Sequence, residues 1–456
     1  TAQSTSQSEL DARYDRALAA GYKALFLCSA IANAERNGAT RSPESVMEWE
    51  LAGIQTPLDE IVGELQYSLH RDDVDKELYA VAVDWADEIA PRIALHSTDR
   101  GCSIQPIGYD PAFLAMDEAE AIGGNQIVST AGRIEVEHLY RAGVRLEDGN
   151  PSYNQRLELA GQAIFGDYGS DARTSAAIIV EHGSIAGEIY RADYDMLVPQ
   201  RTWSVAKSIA ATLLGAAVHR GDVAVSDSAG LGESENDARR AITIDQALRM
   251  ATGRYTDTPG NRTDPLYFGG ATVDEVAVEW PLIHEPGSTF RYANNDTLVA
   301  VQAIEHTFDE HSPAALFAAL GMRNTIAETD WQGNYVLSSQ VWSTARDLAR
   351  LGQLYLDDGV LPDGTRILPE GWVEYVSTPS GPQPEGRWGY GAGWWTMRGM
   401  EGIPEDAFAA RGNRGQYIVV IPSRDVVIVR RGEDPAGGSG FDIEAFTRDV
   451  LAALDN

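Results

Sequence analysis

The chain has 456 residues, 43% of them hydrophobic and 23% charged, and a formal net charge of −32. That length suits two or three domains with ordinary globular cores. The acidic balance offers no basic stripe for a phosphate backbone and opposes an anionic membrane surface, so neither nucleic acid nor a membrane is an expected partner.

The chain opens "TAQSTSQSEL", with no methionine and no charged-then-apolar leader. Such a start is expected where an export signal has been removed, which points to a periplasmic or secreted protein. Residues 8–92 read as helical. "LDARYDRALAAGYKALFLCSAIANAERNG" carries apolar residues at helical spacing and a glycine stop, and "SPESVMEWELAGI" follows it. "ALFLCSAIA" (24–32) and "SIAATLLGAAV" (208–218) fall short of the ~18 apolar residues of a membrane span and read as buried helices. "HSTDRGCSIQPIGYDP" (96–111) is rich in turn formers and reads as loop. Cys28 and Cys102 are either one disulfide of an exported protein or two small buried hydrophobes, and spacing does not choose between them.

A composition shift at "FGDYGSDART" divides the chain into an extension, 1–170, and a second domain, 171–456. "SAAIIVEHGSIAGEIYRA" (175–192) reads as a hairpin turning at His182-Gly183-Ser184, and "QYIVVIPSRDVVIVRRG" (416–432) as another turning at "PSRD". Helices are expected at 204–220, 243–252, 293–307, 313–320 and 343–358, with an amphipathic one at 441–455. Strands at both ends of the domain and helices between them predict an α+β fold, with an antiparallel sheet built from both ends and flanked by helices.

Lysine is scarce: Lys23, Lys76 and Lys207 stand against 33 arginines, and Ser-x-x-Lys occurs once, at Ser204 and Lys207. A serine hydroxyl needs a base before it attacks, and a buried lysine one helical turn away can serve. A helix N-terminus at Ser204 would add free N–H groups where negative charge develops. Tyr292 in "YAN" is a candidate proton shuttle, since a charged lysine beside it would favour phenolate. Asn294 can hydrogen-bond Lys207 and a substrate amide. The glycines of "AARGNRGQYIVVIP" (409–422) would let a substrate approach backbone N–H groups. Taken singly, Ser-x-x-Lys is an ordinary solvated pair, Tyr292 a core aromatic and the glycines turn formers.

In order along the chain, "WSVAKSIAATLLGAAVHRGDVAVSD", "ITIDQALRMATGRY", "EPGSTFRYANNDTLVA", "LGMRNT", "TARDLARLGQLYLDDG", "WGYGAGWW" and "GNRGQYIVVIPSRDVVIVRRG" resemble the serine β-lactamase-like hydrolases. That superfamily includes class C β-lactamases, penicillin-binding DD-peptidases, esterases and 6-aminohexanoate-oligomer hydrolases. The resemblance covers roughly 171–456. It implies a β-lactamase-like sheet with a helical subdomain, an acylated nucleophile at Ser204, a base at Lys207, a shuttle at Tyr292 and a hydrogen-bonding residue at Asn294. It lays the Lys-Thr-Gly strand motif on Ala410-Arg411-Gly412 and the oxyanion hole on the N–H groups of Ser204 and Asn413.

Ala410 replaces the lysine that helps to hold a substrate carboxylate, which argues against β-lactamase and DD-peptidase activity. Arg411 and Arg414 are the candidate replacements. The aromatic cluster Trp388, Tyr390, Trp394 and Trp395 either lines a pocket or packs the core. The scattered histidines predict no metal, and the implied chemistry needs no cofactor. The expected activity is amide or peptide hydrolysis of a small molecule or short peptide, with a carboxylesterase as the alternative. A binding protein that has lost turnover is the reading from another class. Homo-oligomerisation stays open.

Overall fold

The computed structural model describes residues 5–109, 161, 168–256 and 263–455. The parts of the expected extension at 1–4, 110–160 and 162–167 lie outside them. Helix α1 (Gln7–Arg36) starts at a capping box, in which Ser6 and Glu9 satisfy each other's backbone N–H groups. It is long and apolar enough to cross a bilayer, but its apolar window is wholly buried inside the protein. It packs on a sheet of four antiparallel strands, β1 (Tyr67–Arg71), β2 (Leu78–Val83), β3 (Arg92–Ser97) and β4 (Gly101–Ile104).

This sheet corrects two expectations. Residues 8–92 are helical only in part, and 96–111 is not all loop. Runs such as "LYAVAV" are short and apolar, and they satisfy their backbone through cross-strand ladders under α1. Cys28 of α1 and Cys102 of β4 are disulfide-bonded, with Cα atoms 6.1 Å apart.

The main sheet has seven strands, ordered β10-β11-β12-β13-β14-β5-β6 and antiparallel throughout. They are β5 (Thr174–Glu181), β6 (Ser184–Tyr190), β10 (Gly389–Tyr390), β11 (Trp395–Thr396), β12 (Phe408–Gly412), β13 (Gln416–Ile421) and β14 (Val426–Gly432). The β5–β6 turn places His182 and Gly183 at φ 50° and 71°, the positive pair that a tight hairpin requires. β5 pairs with β14, so strands from both ends of the 171–456 region do build one sheet.

One face of the sheet, with Ile178, Phe408, Ala410, Ile418 and Val427, packs on α2 (Val205–Arg220) and on α4 (Ala345–Leu356). The other face, with Ile179, Ala409, Val419 and Ile428, packs on α5 (Ile443–Leu454). Both faces are covered, which explains the continuous apolar runs of β5, β13 and β14. Helix α3 (Asn294–Gln302) lies beside α2 in the helical part. A short sheet, β7 (Gln200–Arg201), β9 (Val341–Ser343) and β8 (Ile326–Ala327), delivers the chain to the start of α2.

Candidate active site

Ser204 is the N-cap of α2, and its side chain caps nothing, so the hydroxyl is free for other work. Trp203 before it takes φ 50°, a left-handed conformation that costs a bulky residue about 1–3 kcal/mol. The turn is held from behind: Thr202 N donates to Val341 O at 2.8 Å. α2 is buried on every side from Val205 to Ala217 and ends at Gly221, φ 83°, in the expected left-handed cap.

Lys207 lies one turn beyond Ser204 and is 1% exposed. Its Nζ reaches three oxygens: Ser204 Oγ at 3.1 Å, Asn294 Oδ1 at 2.6 Å and Ser338 O at 2.9 Å. The amide and carbonyl oxygens can only accept, so they take two N–H bonds. The third direction faces Ser204. A neutral amine has its lone pair there, ready for the hydroxyl proton. Burial pulls the Lys207 ammonium down to about 7, which makes that neutral form accessible near pH 7.

Asn294 opens α3 and is 4% exposed. Its Oδ1 serves Lys207 and its Nδ2 donates to Thr263 Oγ1 at 3.0 Å, so its work is directed inward, at the lysine. The ring of Tyr292 lies 5.1 Å from Lys207 Nζ. Burial pushes its phenol up to about 12, against the smaller downward pulls of Ser204 and Arg411. The expected phenolate is therefore disfavoured: desolvation outweighs the neighbouring charges. Tyr292 is a neutral hydroxyl that can accept and donate in one movement.

β12 ends against Ser204. A Cβ on Gly412 would stand 2.4 Å from Thr202 O and 3.2 Å from Ser204 N, so only glycine fits there. Asn413 begins the turn to β13, is exposed, and accepts the Arg414 N–H on its own Oδ1 at 3.0 Å. Among the described residues, the backbone N–H groups of Ser204 and Asn413 have no protein acceptor. Two orphan donors flanking a serine are the elements of an oxyanion hole.

Ala410 is fully buried on the Gly412 side of β12, so no cation stands at the motif's lysine position. Arg411 is half-buried and lies over Trp388 at 4.2 Å and Trp395 at 5.1 Å. Arg414 is already engaged within the protein and does not face the site as a carboxylate binder. It is 5% exposed, pairs with Glu433 at 2.9 Å and donates to Glu50 O at 2.6 Å, locking the N-terminal region to the sheet. The aromatic cluster divides. Trp394 is core, packed on Tyr355 and Phe408, whereas Trp395 stands 5.3 Å from the Tyr292 ring at the site.

Ser338 and Thr263 were not foreseen. Ser338 contributes a backbone carbonyl, which no side-chain motif announces. Thr263 is one of many threonines, and only the fold brings it to Asn294.

A curated 6-aminohexanoate-dimer hydrolase from Paenarthrobacter ureafaciens is 26% identical over 316 residues, 62% of this chain and 76% of that protein. Penicillin-binding protein 4 from Amycolatopsis lactamdurans is 25% identical over 271 residues, 49% of this chain and 69% of that protein. Among solved structures, a putative 6-aminohexanoate-dimer hydrolase from Bacillus anthracis superposes with a TM-score of 0.53 at 22% identity, covering 62% of this chain and 79% of that one, a likeness of fold. The Beta-lactamase family model matches residues 169–431, more than half of the sequence and all of the residues assembled around Ser204. The chain belongs to the Beta-lactamase family, serine hydrolases built on an antiparallel sheet flanked by helices.

Proposed function

We propose that the protein hydrolyses an amide or peptide bond through an acyl-enzyme on Ser204. The observation that carries this reading is the Lys207 amine, with two fixed acceptors and its third direction facing Ser204 Oγ. Lys207 takes the hydroxyl proton as Oγ bonds the carbonyl carbon. The N–H groups of Ser204 and Asn413 receive the oxyanion. The proton then passes through the Tyr292 hydroxyl to the leaving nitrogen as the C–N bond breaks. In the second half, water gives a proton by the same route and adds to the acyl carbon, and the Oγ–C bond breaks as Ser204 regains its proton.

An amide leaving group must be protonated as it departs, and Tyr292 offers the relay. The similarity to 6-aminohexanoate-dimer hydrolase favours a linear amide, and buried Ala410 argues against a substrate that needs the motif lysine. The disulfide Cys28–Cys102 favours an oxidising compartment, periplasmic or extracellular. The test is labelling by a fluorophosphonate probe, with a panel of linear amides, p-nitrophenyl esters and nitrocefin. The wild type is expected to be tagged at Ser204 and to cleave linear amides; Ser204→Ala is expected to lose both. Full hydrolysis by Ser204→Ala would end the proposal, and turnover of esters alone would turn it to the esterase reading.

A further inference from the structure

Arg201 is a buried cation that none of these steps uses. It is 1% exposed, and among the described residues it forms no ion pair; Glu328 and Glu433 act on it only from further away. A guanidinium so placed is costly without compensation. Four aromatic rings surround its Cζ: Trp203 at 4.3 Å, Phe26 at 5.1 Å, Tyr267 at 5.3 Å and Phe268 at 5.6 Å. Nε and Nη2 both donate to Ser339 Oγ, at 3.2 and 2.9 Å, while Nη1 has no partner.

These contacts converge on the site from two sides. Trp203 is the left-handed residue that precedes the nucleophile. Ser339 follows Ser338, whose carbonyl accepts from Lys207 and whose hydroxyl meets Tyr267 Oη at 2.7 Å. Phe26 comes from α1 and stacks on Tyr22 with centroids 4.3 Å apart. One guanidinium therefore touches the turn that carries Ser204, the segment that orients Lys207, and the N-terminal helix.

We propose that Arg201 is a positioning residue that fixes Trp203 and the Ser338–Ser339 segment relative to each other, with Phe26 of α1 as the wall that holds it there. The inference rests on the reading of Ser204 and Lys207 as nucleophile and base. It gives α1 a part in hydrolysis without any contact with substrate. Arginine suits the place because its flat fork stacks on rings and presents two donors to one hydroxyl. Lysine keeps the charge and a donor; methionine keeps the bulk and loses both.

Arg201→Met is expected to lower kcat for a p-nitrophenyl ester about 10–100-fold, since misplacement by about 1 Å costs that order of rate. KM stays within about threefold. Ser339→Ala is expected to fall by a similar factor, and the double variant to lose no more than the worse single one, because both break one link. Arg201→Lys, which keeps the charge and one donor but not the flat fork, recovers part of the lost kcat. Rates are taken per active site, counted by end-point fluorophosphonate labelling, so misfolded protein does not enter. Unchanged kcat in Arg201→Met or Ser339→Ala, additive losses, a KM that rises as kcat falls, or no recovery in Arg201→Lys overturns the proposal while Ser204 is still labelled. A wild type that takes no label overturns the reading beneath it as well.

Discussion

Lys23 and Lys207 are both lysines of long buried helices, and their surroundings differ in one direction only. Lys23, 2% exposed in α1, donates to Val62 O at 2.9 Å and Leu65 O at 2.7 Å. Lys207 donates to Asn294 Oδ1 and Ser338 O. Burial pulls both ammonium groups down. Beyond its two carbonyls, Lys23 meets the face of Tyr67 at 5.3 Å, which favours a cation and has no proton to give. Lys207 also has a ring nearby, but a hydroxyl completes its set. Burial weakens the ammonium in both places; the third neighbour decides which amine can serve as a base.

The sharpest way to break this contrast is to remove each amine. Lys207→Met is expected to cost about 10²–10⁴ in kcat/KM, the range of a lost general base. Lys23→Met is expected to leave kcat/KM per folded molecule within about threefold. It should lower Tm instead, because each orphaned carbonyl costs about 1–3 kcal/mol. Equal activity losses in the two variants would remove the distinction. Gly412→Ala comes next. Its methyl would collide with Thr202 O beside Ser204 N, and kcat is expected to fall about 10²–10³-fold, the loss of one oxyanion donor. Normal turnover there would place the oxyanion elsewhere.

The pH profile is the gentlest probe. If neutral Lys207 is the base, kcat/KM falls about tenfold per pH unit below about 7 and is flat above it. Stability follows the same group. Its native pKa lies below the unfolded value, so the burial penalty is fully present below about 7. Its contribution to stability rises with pH from about 7 to 10.5, where only the unfolded chain holds the proton. Lys207→Met should flatten both profiles.

Part of this was legible in the sequence. Lysine is so scarce that the pair Ser204 and Lys207 stood out, and the hairpin turn at His182-Gly183 announced its own φ values. Both ends of the 171–456 region could be seen to supply strands. The first sheet escaped because its strands are four to six residues long and read as parts of helix or loop. The Ser338 carbonyl was out of reach, since a backbone oxygen has no letter. Arg414 could not be told from Arg411 because both are arginines near one strand end, and only burial against Glu433 and Glu50 separates them. The disulfide needed the packing of α1 on β4.

With three lysines in 456 residues, ¹³Cε-lysine labelling gives a spectrum in which each amine can be assigned by substitution. An NMR titration then reads the protonation of Lys207 directly. A midpoint near 7 for the signal that vanishes in Lys207→Met is the predicted result. A Lys207 that keeps its proton until about 10, as an ordinary lysine does, would contradict a neutral amine facing Ser204.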